Sequence, residues 1–309
     1  MVIILMKIRL RRSSMRLNKK RALITISATV VGIGIVGLAY YKYMNNKETV
    51  KPQLKLVALG DSLTEGMGDS TKQGGYTQRL AKLINNKLVV PTKVLNYGNS
   101  GDRSDQINQH LTNSTQQQIA IKKADAIIMT VGGDDLIQKI GGSVLDRSAK
   151  ELTQAIKASE PEYTAKLTKL MQSIRRYNKT APIFVFGNYN PLYVYFANLQ
   201  SINTSVIAYN NINKKIVKKY HGYYVSTFKQ LTFGQYQSAL AKQKLLQEAN
   251  ASSVEGVVKT LHENKITDEK NAYIAKSDHF HPNSKGYNYM AKKLYATMIK
   301  HKATWLYEK

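Results

Sequence analysis

Along this chain, short aliphatic runs alternate with stretches of helical spacing, and the junctions between them are glycine and small polar residues. The first such run is 54–59 (LKLVAL), which breaks at Gly60-Asp61-Ser62. Similar runs lie at 89–96, 126–131 (AIIMTV), 182–187 (PIFVFG) and 223–226. Short runs rich in branched residues with almost no polar alternation suit strands buried on both faces. Pro91 in the second run predicts a bulge or an edge position, because proline cannot donate to a ladder. Between the runs, 76–87 places Tyr76, Leu80, Leu83 and Ile84 on one helical face. A helix capped by Asp102 or Ser104 is expected after the second run. The region 148–178 reads as helix that Pro161 divides in two. Further helical patterns cover 203–219, 237–249 and 254–262. A final helix is capped by Asn283 or Ser284 and runs to about His301, with Tyr287, Met290, Ala291, Leu294 and Met298 inward. Repeated strand–helix alternation predicts an α/β fold, a doubly wound and mostly parallel sheet of about five strands. Residues 227–276 carry no strand pattern and read either as a lid or insertion beside the cleft or as outer packing helices.

Ahead of this domain, residues 22–41 (ALITISATVVGIGIVGLAYY) contain no charge, and about 20 apolar residues span a bilayer. A buried core helix is the alternative, but the run directly follows a basic cluster. By the positive-inside rule, 1–21 is a cytoplasmic basic tail, 22–41 a transmembrane anchor, 42–53 a linker and 54–309 an extracytoplasmic domain. The run ends in Ala39-Tyr40-Tyr41-Lys42 with no small-x-small cleavage pattern, which favours an uncleaved anchor. The expected location is the cell membrane, single-pass, with the large domain outside.

The absence of cysteine excludes disulfides, a thiol nucleophile, a cysteine zinc site and lipidation at cysteine. The net charge is +26; eight basic residues and no acid lie in 1–21, so the remainder still carries +18. Such an excess suits nucleic acid or an anionic envelope surface. No zinc-finger, RNA-binding or helix-turn-helix pattern accompanies it, so an anionic surface is favoured and no nucleic-acid partner is expected.

The chemistry concentrates at the strand ends, where open α/β sheets bind ligands. Ser62 follows the first strand, although Gly60-Asp61-Ser62 alone is equally a turn leading into a helix. A serine needs a base to act as a nucleophile, and the base needs a carboxylate to orient it. Asp278-His279-Phe280-His281-Pro282 supplies both, and the three-residue spacing of Asp278 and His281 fits one helical turn. Two more blocks end strands two and three: Tyr97-Gly98-Asn99-Ser100-Gly101-Asp102 and Gly132-Gly133-Asp134-Asp135.

Together these four blocks resemble the SGNH, or GDSL-type, serine hydrolases over about residue 54 to the C-terminus. The resemblance implies a flavodoxin-like three-layer fold, with Ser62 as nucleophile, His281 as base and Asp278 orienting it. It implies an oxyanion hole from the Ser62 and Gly101 N–H groups and a third donor at position 134. No cofactor or metal is implied, and the expected substrates are carboxylic esters: lipid, lysophospholipid or acetyl esters. Where the family has asparagine, this chain has Asp134. Three outcomes stay open: a protonated Asp134 that donates, slow catalysis on two backbone donors, or lost catalysis. A metal held by Asp61, Asp134 and Asp135 lacks supporting ligand spacing. His110, His221, His262, His279 and His301 show no partner pattern and read as structural or surface residues. Two competing classes remain: a weak or inactive surface protein of the same fold that binds anionic envelope polymer, and an intracellular nucleic-acid binder, which requires 22–41 not to span a membrane.

Overall fold

The computed structural model of the chain describes residues 48–140, 148–252 and 269–308. The aliphatic runs form five strands: β1 (Leu54–Gly60), β2 (Thr92–Gly98), β3 (Ala126–Met129), β4 (Ile183–Phe186) and β5 (Tyr223–Val225). They lie in the order β2-β1-β3-β4-β5, and every neighbouring pair is parallel. This is the flavodoxin-like order, which reverses direction between β1 and β3 and opens a crevice there. Pro91 immediately precedes β2, which is an edge strand paired without interruption from Leu54↔Thr92 to Gly60↔Gly98. The edge expectation therefore holds, and no bulge is needed.

The helices are α1 (Ser62–Glu65), α2 (Gly75–Leu88), α3 (Ser104–Asn113), α4 (Thr115–Lys122), α5 (Gly133–Ile140), α6 (Ala149–Tyr177), α7 (Gln200–Lys219), α8 (Phe228–Phe233), α9 (Ala239–Ala251) and α10 (Ser284–Lys300). Side chains alternate across a strand, so β1 feeds two cores. Leu56 and Ala58 join Tyr76, Leu80 and Ile84 of α2 and Met290, Leu294 and Met298 of α10. Val57 and Leu59 join Leu111 of α3, Leu167 and Leu170 of α6 and Val206 of α7. The result is three layers, helix, sheet and helix. A smaller cluster joins Leu245 and Ala249 of α9 to Tyr193–Ala197, the segment after β4.

Pro161 does not divide α6, which runs unbroken for 29 residues. Proline removes the hydrogen bond to the carbonyl four residues back. Here Pro161 and Lys157 are both exposed, so water can satisfy the freed carbonyl. The inward stripe Ile156, Ser159, Tyr163, Leu167, Leu170 and Ile174 continues in phase across it. The cap of α3 also departs from expectation. Neither Asp102 nor Ser104 caps it; the Asp135 carboxylate of α5 accepts from the Ser104 N–H (2.8 Å) and Oγ–H (2.7 Å). Asn283, as expected, caps α10 through the Lys285 and Gly286 N–H groups. The expected anchor 22–41 and helix 254–262 lie outside the described residues. Among the described residues, no helix is long and apolar enough to cross a membrane.

One buried ion pair ties the loop after α1 to α2. Arg79 donates to both oxygens of Asp69, at 2.5 and 2.9 Å, with both side chains nearly inaccessible. Burial alone would raise the Asp69 carboxyl; hydrogen bonds from Arg79 and Thr71 outweigh it and hold it far below the usual carboxylate range. Its contribution is therefore present at pH values above the ordinary carboxylate pKa and is lost as pH falls toward the depressed folded value. We expect Arg79→Met to destabilise the protein by about 3 kcal/mol or more in urea unfolding, because it leaves a buried charge unpaired. Asp69→Asn in the same chain should recover part of that loss; additive losses from the two changes would contradict the pairing.

Candidate active site

Gly60 ends β1 with φ +152°, and a Cβ there would lie 2.4 Å from Thr130 Oγ1. Only glycine fits that close approach of β1 to the end of β3. Asp61 then caps α1, its Oδ1 accepting from the Leu63 N–H at 3.0 Å. The cap presents Ser62, 6% exposed, at the carboxyl edge of the sheet. Beneath it, Thr130 Oγ1 donates to Asp61 Oδ1 at 2.7 Å, and Thr64 bonds to both Thr130 and Tyr76. Burial raises the Asp61 carboxyl above its ordinary value, against the opposing hydrogen bonds from Thr130 and Leu63.

His281 Nε2 lies 2.9 Å from Ser62 Oγ, and its Nδ1 lies 2.8 Å from Asp278 Oδ2. Asp278 and His281 do not sit on a helical turn, as their spacing suggested. They sit on a non-helical turn in which Asp278 Oδ1 accepts from the Phe280 and His281 N–H groups, each at 2.9 Å. An aspartate bonding its own downstream backbone makes such a turn without helix. Burial would raise the Asp278 carboxyl, but its bonds from His281 and the backbone lower it, so it stays ionised. The turn is braced on both sides. Ala275 N–H donates to the His281 carbonyl at 2.8 Å, and Tyr189 Oη donates to the Phe280 carbonyl at 2.8 Å. His281 Cβ also lies 2.7 Å from where a Gly68 Cβ would be, in the loop that Arg79 and Asp69 hold.

His279 is structural rather than surface, and it has a partner that the sequence did not announce. It is buried with φ +53°, its Nδ1 bonds to Glu269 and it approaches Tyr195 Oη at 3.3 Å. Glu269 lies ten residues upstream across a chain reversal, so no local spacing announces the pair. His110 likewise has a partner, Asp102 Oδ2 at 3.1 Å.

Gly101 and Asp134 come from the strands on either side of β1. The loop after β2 is drawn inward by Asn99 N–H to the Gly60 carbonyl (2.9 Å) and Ser100 N–H to Glu65 Oε2 (2.8 Å). Gly101 has φ +82°, and nothing lies within 4 Å of where a Cβ would project. No hydrogen bond among the described residues uses the Ser62 or Gly101 N–H. Asp134 is half-buried in the first turn of α5. Burial, then the charges of Asp61, Asp135 and Asp102, push its carboxyl up to about 7, with His281 pulling the other way. Asp135 is turned to Ser104 instead, which removes it from a metal set with Asp61 and Asp134. Among the described residues, no group of three His, Asp or Glu side chains is placed to hold a metal ion.

The arrangement can move a proton from Ser62 Oγ to His281 while Asp278 fixes the ring's tautomer. Among the described residues, the Ser62 and Gly101 N–H groups are left without acceptors, and the Asp134 carboxyl has a raised pKa. The supporting groups that sequence reading missed are Thr130, Arg79, Glu65 and Glu269. Their partners are between 10 and 69 residues away in the chain, beyond any motif.

A family model described as GDSL-like Lipase/Acylhydrolase matches residues 56–294. Among curated proteins, the chain is 28% identical over 262 residues to uncharacterized protein YpmR of Bacillus subtilis, covering 84% of this chain and 87% of that one. It is 25% identical over 138 residues to spore germination lipase LipC of Bacillus licheniformis, covering 45% of this chain and 65% of LipC. Among solved structures, the lipase Lip_vut3 from a goat rumen metagenome superposes with a TM-score of 0.58 at 20% identity. The match covers 79% of this chain and 97% of that one.

Proposed function

The chain belongs to the GDSL-like lipase/acylhydrolase family, and from that premise we propose that it is a membrane-anchored, extracytoplasmic serine esterase. The hydrogen-bonded chain Ser62–His281–Asp278 carries this reading. Ser62 Oγ attacks the ester carbonyl carbon as its proton passes to His281 Nε2. The Ser62 and Gly101 N–H groups and the protonated Asp134 hold the resulting oxyanion. Collapse expels the alcohol, which takes the proton from His281 and leaves an acyl group on Ser62. Water, activated by the same histidine, then releases the acid. The curated relative described as a spore germination lipase supports an ester as the bond attacked. The uncharged run 22–41 behind a basic tail 1–21 supports the anchor, with 42–53 as linker and 54–309 outside.

Asp134 favours a second reading, a surface protein of this fold that binds anionic envelope polymer with little or no catalysis. A panel of p-nitrophenyl esters from acetate to decanoate separates the two. We expect hydrolysis of the shorter esters and stoichiometric labelling of Ser62 by a fluorophosphonate. Folded protein that neither turns over any ester nor labels at Ser62 would leave the binding reading in place.

A further inference from the structure

Every strand in this sheet points the same way, and each helix between strands runs back against them. Helix C-termini therefore gather at the edge where strands begin, opposite Ser62. That edge is basic on both helical layers: Lys87 ends α2, Lys122 and Lys123 end α4, Lys218 and Lys219 end α7, and Lys300 ends α10, all exposed. Cations near helix C-termini are ordinary, because they complement the macrodipole. The scarcity of opposing acid is not. The connections 89–91, 123–125, 178–182 and 220–222 and the tail 301–308 hold only Asp125, which Lys51 occupies at 2.5 Å, and Glu308, and Glu48 precedes β1. Asp61, Asp69, Asp102, Asp134, Asp135 and Asp278 lie at the other edge. Val89 stands among the cations 85% exposed, with φ +56°.

The polypeptide also enters at the basic edge. Lys51, three residues before β1, donates its N–H to the Leu306 carbonyl just beyond α10. Residues 42–50, between the apolar run and this point, reach at most about 30 Å when fully extended. We propose that the strand-start edge is a docking surface for the anionic head groups of the membrane that holds the anchor. This inference rests on the anchored-esterase reading and adds an orientation to it. A field that draws the lysines in turns the Ser62 edge outward. The seven-residue β1 sets it about 20 Å further from the lipid, at about 3.3 Å per residue. The ester it meets there is one carried above the membrane, on an envelope polymer, rather than a lipid of the leaflet beneath.

The lone tryptophan, Trp305, reads this contact without any need for activity. It is buried, and its Nε1–H donates to the Met298 carbonyl near the end of α10, at the edge in question. Full-length protein would be mixed with vesicles carrying dansyl-labelled head groups, and energy transfer from Trp305 measured. Transfer should be strong on vesicles containing phosphatidylglycerol and weak on pure phosphatidylcholine. It should fall at high salt, since charges at a surface are screened within about 8 Å at physiological ionic strength. K122E/K123E/K218E/K219E should weaken docking on the anionic vesicles by about tenfold or more, and K87E/K300E on the other layer should act in the same direction. Equal transfer on the two lipids, or no response to either folded variant, overturns the docking surface. Tighter binding to soluble polyphosphate than to vesicles at equal phosphate concentration would also overturn it, in favour of a polymer partner. Flotation with phosphatidylcholine vesicles at high salt tests the anchor separately. A chain that fails to float there loses the anchor, while the lipid dependence of Trp305 transfer still decides this face.

Discussion

Ser62→Ala and His281→Ala are each expected to lower ester hydrolysis by about 10⁴-fold or more in kcat/KM, with little change in stability. The reason is the 2.9 Å contact between His281 Nε2 and Ser62 Oγ. A serine hydroxyl with no base is a poor nucleophile, and a base with no hydroxyl to deprotonate has no role in acylation. The two act as one device, so the double variant should be scarcely slower than either single one. Asp278→Asn should also be slow for a related reason. An amide at that position no longer requires a proton on His281 Nδ1, so the ring loses the tautomer that leaves Nε2 free to accept. The variant keeps the shape of the turn, because a side-chain oxygen can still accept from the Phe280 and His281 N–H groups. Rate measurement on a short p-nitrophenyl ester, with thermal unfolding as control, checks all four proteins. A Ser62→Ala enzyme with near-wild-type rate, or multiplicative losses in the double variant, would remove this serine from the chemistry.

Asp134→Asn is expected to raise activity, and by an amount that grows with pH. Burial and the neighbouring Asp61, Asp135 and Asp102 charges push the Asp134 carboxyl up to about 7. Well below that pH it carries a proton and can donate to an oxyanion, as shielded carboxylic acids do. As pH rises through about 7 it ionises, the donor is lost and a negative charge faces the developing one. Loss of one oxyanion donor typically costs about 100- to 1000-fold. Two pH units above such a pKa only about 1% of the acid stays protonated, so wild-type activity should fall toward that floor. The amide keeps its donor at every pH. The ratio of variant to wild type should therefore sit near unity at pH 5.5 and reach about 100 near pH 9. Identical profiles for the two proteins would show that position 134 does not touch the oxyanion. The serine would then work with the Ser62 and Gly101 N–H groups alone.

The strands, the three blocks that end β1, β2 and β3 and the turn block at Asp278–Pro282 were legible because each is local. A buried strand announces itself by composition and a helix face by its period. Gly60, Gly101 and Asp61 announce turns that only small or capping residues make. Resemblance across those blocks then put Ser62 and His281 in one site, although they lie 219 residues apart. Tertiary structure decided whatever depends on the sum of distant neighbours. Pro161 stays within one helix because both it and Lys157 face water while the stripe beneath stays buried. His279 and His110 looked unpartnered because Glu269 and Asp102 reach them only through folded loops. Asp135 raises the Asp134 carboxyl as its adjacency suggested, but its own carboxylate also accepts from Ser104 at the start of α3. A protonated Asp134 was one of three outcomes left open by the sequence, and what raises its carboxyl came only with the fold. That rise is set by burial and by three carboxylates arriving from the ends of β1, β2 and α5, a field that exists only once those elements are packed side by side.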